Sequence, residues 1–156
     1  MLSLLLAITL ATDDPAPAPE VVPSELETAR RIIRDQTESG PSGWVTRSLQ
    51  TINREGNKSD IKLLMTLRGD KRIMVLHDDE VESQYQAMAR VGESAAAIAL
   101  RLAGQKVDDF GFRETKTPVL GKPDRLSYHW QFRGPAAREE AAKKGWNWLD
   151  KNSAKK

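Results

Sequence analysis

An apolar stripe runs through Val81, Tyr85, Met88, Gly92, Ala95, Ala99 and Leu102 in alternating steps of four and three. That spacing places all seven on one face of a helix and predicts a long element the rest of the chain must cover. Asp78 or Asp79 is positioned to cap its start, and Gly104 to end it. The later stripe residues are small, whereas a two-helix coiled coil wants large residues there, so the expected partner is a sheet.

Strands are expected on both sides of this helix. Residues 61–68 and 72–77 flank Gly69-Asp70, a first-glycine pair suited to a two-residue hairpin turn. In that register Leu63 faces Leu76 and Met65 faces Met74. Residues 106–114 carry Phe110 and Phe112 on one side. Residues 126–133 alternate Leu126, Tyr128, Trp130 and Phe132 with polar neighbours, as a half-buried strand does. Residues 44–53 fit either a helical stripe of Val45, Leu49 and Ile52 or a strand rich in Thr and Ser, and are read as a strand. A first helix over 24–37 starts at the Ser24/Glu27 capping box. A last one starts at Pro135, with Glu139/Lys143 and Glu140/Lys144 spaced as ion pairs.

The expected fold is a single α+β domain in the order α-(β)-β-β-α-β-β-α, an antiparallel sheet of four or five strands packed by three helices. A strand-strand-helix unit would then occur twice, at 61–102 and 107–150. The expected core includes Leu63, Met65, Met74, Leu76, Tyr85, Met88, Phe112, Tyr128, Trp130 and Phe132. A length of 156 residues suits one such domain and not two.

Residues 1–11 read MLSLLLAITLA, too short for a bilayer span of about 20 residues but of signal-peptide length, although no Lys or Arg precedes the apolar run. A signal peptide is the preferred reading; a buried strand or a retained anchor are the alternatives. Residues 12–23 form a Pro/Ala-rich linker in which Pro15, Pro17, Pro19 and Pro23 favour an extended spacer. The folded domain spans 24–150, and 151–156 is a basic tail. A leader, a spacer and a compact domain are the order expected of an exported protein, periplasmic or extracellular.

The chain has no cysteine, which excludes disulfide scaffolds, thiolate metal sites and cysteine nucleophiles. There are 24 basic and 22 acidic residues. The linker holds three of the acids and none of the bases, so from Pro23 onward 24 bases stand against 19 acids, a balance of +5. No G-x-S-x-G elbow, S-x-x-K, Walker A or G-x-G-x-x-G pattern is present, no cofactor motif stands in the chain, and no specific nucleic-acid motif does either.

Without a catalytic signature, the function expected is that of an exported small non-catalytic binding or accessory domain of the cell envelope. Its candidate contact residues are Lys116, Lys122 and Arg125 in a Pro/Gly-bearing loop over 115–125, with Lys143, Lys144, Trp146 and Trp148 on the last helix. Such a surface suits an anionic polymer, a membrane surface or an acidic partner protein. The competing reading is a small hydrolase or metal-dependent enzyme using His77, Asp78 and Asp79, with His129 if the two histidine-bearing strands meet. Two short motifs also occur. Arg68-Gly69-Asp70 is a tripeptide read by some adhesion receptors, and Asn57-Lys58-Ser59 is a glycosylation acceptor sequence.

Overall fold

The computed structural model describes residues 22–35, 42–74, 89–119, 122–132 and 134–153. The chain is mostly helical. Its α-helices are α1 (Glu25–Asp35), α2 (Ser42–Glu55), α3 (Ile61–Met65), α4 (Val91–Leu102) and α5 (Pro135–Ser153). Among the described residues, strands β1 (Arg113–Val119) and β2 (Lys122–Gln131) pair only with each other, as an antiparallel ribbon. The expected α+β domain with a four- or five-stranded sheet is therefore incorrect, and so is the repeated strand-strand-helix unit, because its expected first strand, 61–68, is helix and turn.

Helix α4 is the centre of the fold. Every residue from Val91 to Leu100 is buried, so the helix has no solvent face over that length. The expected stripe is one of several covered sides. The expected unbroken helix from a cap at Asp78 or Asp79 is corrected: α4 starts at Val91, because Arg90 before it is extended and bridged to Ile73, while residues 75–88 lie outside the described residues. The small residues meet helices and a turn, not a sheet. A Cβ at Gly92 would lie 2.8 Å from the Leu67 carbonyl oxygen, 2.9 Å from that of Arg68 and 3.0 Å from that of Asp70. At the other end, a Cβ on Gly145 of α5 would come 3.1 Å from Leu100 and 3.7 Å from Ala96. Small residues allow close approach to any partner, and here the partners are the turn after α3 and the helix α5. Gly92→Ala is expected to cost about 1–3 kcal/mol, since three backbone oxygens cannot all withdraw. An unchanged midpoint in urea would refute that contact.

The strand expected over 44–53 is helix α2. Val45, Leu49 and Ile52 are fully buried on one stripe, with Thr46, Ser48, Thr51 and Asn53 buried beside them. Covered by α1 on one side and α4 on another, α2 gains more from burial than its Thr and Ser lose in intrinsic preference. The strand expected over 61–68 is α3 and a following turn. Its local cause is a capping box: the Asn57 carboxamide oxygen accepts from the Ser59 N–H at 2.9 Å, and Asp60 accepts from the Asn57 N–H at 2.9 Å. This winds residues 58–60 into a 3₁₀ turn that runs straight into α3. Asp60 also receives the Arg30 guanidinium at 2.7 and 2.9 Å, tying α1 to that turn. Burial alone would push the Asp60 carboxyl up, but Arg30 and the Asn57 N–H hold it below the usual carboxylate range.

The hairpin expected at Gly69-Asp70 is absent too. Ile73 instead makes an isolated bridge to Arg90, next to the start of α4. Residues 107–110 form a 3₁₀ turn and not a strand, and Gly111, at φ +95°, reverses the chain into β1. The loop expected over 115–125 is largely strand: β1 and β2 pair from Arg113 opposite Gln131 to Pro118 opposite Leu126, and Val119 lies opposite Lys122 after a bulge. The expected first and last helices form as α1 and α5, with the Ser24 hydroxyl accepting from the Glu27 N–H at 3.2 Å.

Of the expected core, Met74, Phe112 and Trp130 are buried, while Leu63, Met65 and Phe132 are half-buried at its margin. Leu76, Tyr85, Met88 and the Tyr128 side chain lie outside the described set. No helix among the described residues is long and apolar enough to cross a membrane.

Candidate functional site

The ribbon joins the helical body through aromatic rings. Phe112 packs edge-on against Trp130, centroids 6.3 Å apart, and against Phe132 at 5.6 Å. Phe110 meets Trp148 of α5 edge-on at 6.1 Å. Between the 107–110 turn, this ribbon base and the first turns of α5 lies an open cleft of about 610 Å³. Phe110, Phe112 and Phe132 form its aromatic side, with Ala137 and Ala141 of α5 leaving room opposite.

The polar residues of the cleft are Asp108, Arg113, Glu114, Glu140 and Lys144. Lys144 and Glu140 form an ion pair at 2.9 Å one helical turn apart, and Lys144 holds the Glu140 carboxyl below its ordinary range. Glu114 lies 3.9 Å from Arg101 of α4. The cleft thus offers aromatic surface at its floor and both charge signs at its rim, as surfaces that orient a ligand do.

The structure places the expected contact residues in three settings. Lys144 lines the cleft and Lys143 is exposed beside it on α5. Lys116 and Lys122 stand on the ribbon, opposite Tyr128 and Val119, and Arg125 falls in the bulge next to Leu126. The tryptophans hold the fold together. Trp146 is 4% exposed beneath the Arg68 guanidinium, 5.7 Å from its ring, and Trp148 is half-buried against Phe110. Arg113, Phe132 and Glu140 line the cleft between ribbon and α5; the sequence pattern names Phe132 for the core and Glu140 for an ion pair, and does not single out Arg113. Arg113 opens β1 opposite Gln131, a position that no local sequence signal marks.

His77, Asp78 and Asp79 lie outside the described residues, and His129 occupies the β2 position opposite Thr115. Among the described residues no group of three metal-capable side chains converges. The Arg68-Gly69-Asp70 tripeptide is engaged internally: Arg68 pairs with Asp150 at 2.9 Å, and the Asp70 side chain, 5% exposed, is held by Arg72. Asn57 and Ser59 serve the capping box described above.

No protein-family model, curated protein or solved structure matches the chain.

Proposed function

We propose that the chain is a small non-catalytic binding or accessory domain, exported to the cell envelope, whose contact surface joins the ribbon to the first turns of α5. Its partner is an anionic polymer, a membrane surface or an acidic protein. The observation that supports this reading is the cleft itself, where Arg113 of the ribbon and Lys144 of α5 flank the half-buried rings of Phe110 and Phe132. Lys143 on α5 and Lys116, Lys122 and Arg125 along the ribbon extend the basic residues on both sides. The carboxylates of the cleft limit the pull on an anion, so the contact belongs mainly to the flanking residues.

Binding to immobilised heparin and to vesicles of anionic phospholipid tests the reading. Retention is expected to weaken steeply with salt, the log–log slope growing by roughly 0.9 per cation engaged if the polymer resembles a nucleic acid in charge density. Retention unaffected by salt would move the contact to the Phe110 and Phe132 surface. No retention on either matrix would refute an anionic partner.

A further inference from the structure

The chain enters α1 at the end of the molecule that carries the cleft. Glu25, the first residue of α1, lies 4.0 Å from Arg54 at the end of α2. Arg101 of α4 donates to the carbonyl of Asn53, the neighbour of Arg54, and also lies 3.9 Å from Glu114, which lines the cleft. Two arginine side chains therefore connect the start of α1 to the cleft wall. Residues 22–25 are exposed, Val22 at 84%, so packing does not carry the chain away from that end. Residues 12–21, just before them, read TDDPAPAPEV. Pro15, Pro17 and Pro19 favour the polyproline II form, in which the carbonyls are free to accept hydrogen bonds. At about 3.1 Å per residue, ten residues in that form reach roughly 30 Å, enough to lie across the cleft.

We propose that residues 12–21 of this chain occupy the cleft, with Pro15, Pro17 and Pro19 against the Phe110 and Phe132 rings. Aromatic-lined grooves take up proline-rich segments because the polyproline form is already ordered and loses little entropy on docking. The cleft sets the half-buried rings of Phe110 and Phe132 against the small Ala137 and Ala141. Arg113 and Lys144 at its rim supply N–H donors, which the proline carbonyls can accept. Charge is not the main attraction, since Lys144 pairs with Glu140 and Arg101 faces Glu114. A cleft so balanced suits proline rings and amide carbonyls better than a polyanion. The inference thus goes beyond the anionic-partner reading, which places that contact on the residues flanking the cleft. Because the segment is tethered, it meets the cleft at an effective concentration in the millimolar range, and a weak contact fills the site. Its three acids, Asp13, Asp14 and Glu20, have no base among them and would then oppose the exposed Lys143 and Lys144.

The chain has no cysteine, so Thr12→Cys gives the full chain a single site for a nitroxide spin label. The label broadens the NMR signals of backbone amides that it approaches. Loss of the Gly111, Phe112, Ala137 and Ala141 amide signals is expected. Replacing Pro15, Pro17 and Pro19 together by Gly keeps the tether length and alters nothing in the helical body, and is expected to restore those signals. Ala137→Arg, which fills the cleft from the α5 side, should restore them as well, with circular dichroism confirming its fold. Signals that stay intact in the labelled parent would overturn the inference. Equal loss in the parent and the triple-glycine variant would also overturn it, because the tether alone would then bring the label near. Loss that persists in folded Ala137→Arg would place the segment outside the cleft and overturn it too. Retention on heparin is measured on the unlabelled chain, so the anionic-partner reading stands or falls separately.

Discussion

Arg138→Ala is expected to cost the fold about 3–5 kcal/mol, because it strands a buried carboxylate. The Arg138 guanidinium lies 2.9 Å from Glu93, with side-chain exposures of 8% and 9%. Glu93 also accepts the Arg90 N–H at 2.7 Å, so the same carboxylate caps α4 and pairs with the first turns of α5. Replacing both members with well-packed apolar residues, as in Glu93→Met with Arg138→Met, is expected to cost far less than either single loss. Urea melts of the two single variants and the double one measure the difference; equal losses for Arg138→Ala and the double variant would show that the pair is not coupled.

The same site sets a pH dependence of unusual sign for a paired acid. Burial raises the Glu93 carboxyl above its ordinary value, and the Arg90 N–H and the charges of Arg138 and Arg90 only partly oppose it. The folded state therefore holds this proton more tightly than the unfolded state does. Its contribution to stability is complete below the unfolded value and is lost as pH rises from that value through the folded one. Arg138→Ala removes an opposing charge, so it should carry this loss to higher pH. Its cost is expected to be smaller at about pH 4 than at about pH 7, where Glu93 is ionised in the unfolded chain. A cost that does not vary with pH would remove Glu93 from the explanation.

Trp130→Ala should likewise cost about 3–5 kcal/mol through lost burial and the cavity left behind. Its ring is 4% exposed, and it contacts Phe112, itself 1% exposed. A two-stranded ribbon is marginal in water unless one face packs on other elements, so this base sustains the pairing beyond it. Cross-strand amide contacts measured by NMR should fade from Thr115 through Ser127 in the variant, while the α1–α2 helix pair persists. A cost below about 1 kcal/mol would place the indole at the surface.

The end helices were legible in the sequence because their signals are local. Ser24 and Glu27 start α1, and Pro135 with its one-turn ion pairs starts α5, whatever lies around them. The pairing of the Leu126–Phe132 alternation with an upstream strand was half legible: the period revealed β2, while the start of β1 was placed too early, over the 107–110 turn. The 61–68 run was not legible from periodicity, since five apolar residues in eight suit either a covered strand or a covered helix. The capping box at Asn57 and Asp60 would have settled it locally. The cleft was least legible, since its residues come from three elements distant along the chain.

By itself the sequence determined the period of α4, the ends of α1 and α5, the alternation of β2 and the exclusion of thiol chemistry. These follow from spacing, capping preferences and composition, all of which act over a few residues or need no folding. Tertiary structure alone decided that α2 is a helix, that helices and a turn cover α4 where a sheet was expected, and that Glu93 meets Arg138 across a buried contact. Each of those depends on what lies opposite. Burial between α1 and α4 outweighs the strand preference of Thr-rich α2, and the glycines at 92 and 145 accept whichever surface arrives closest.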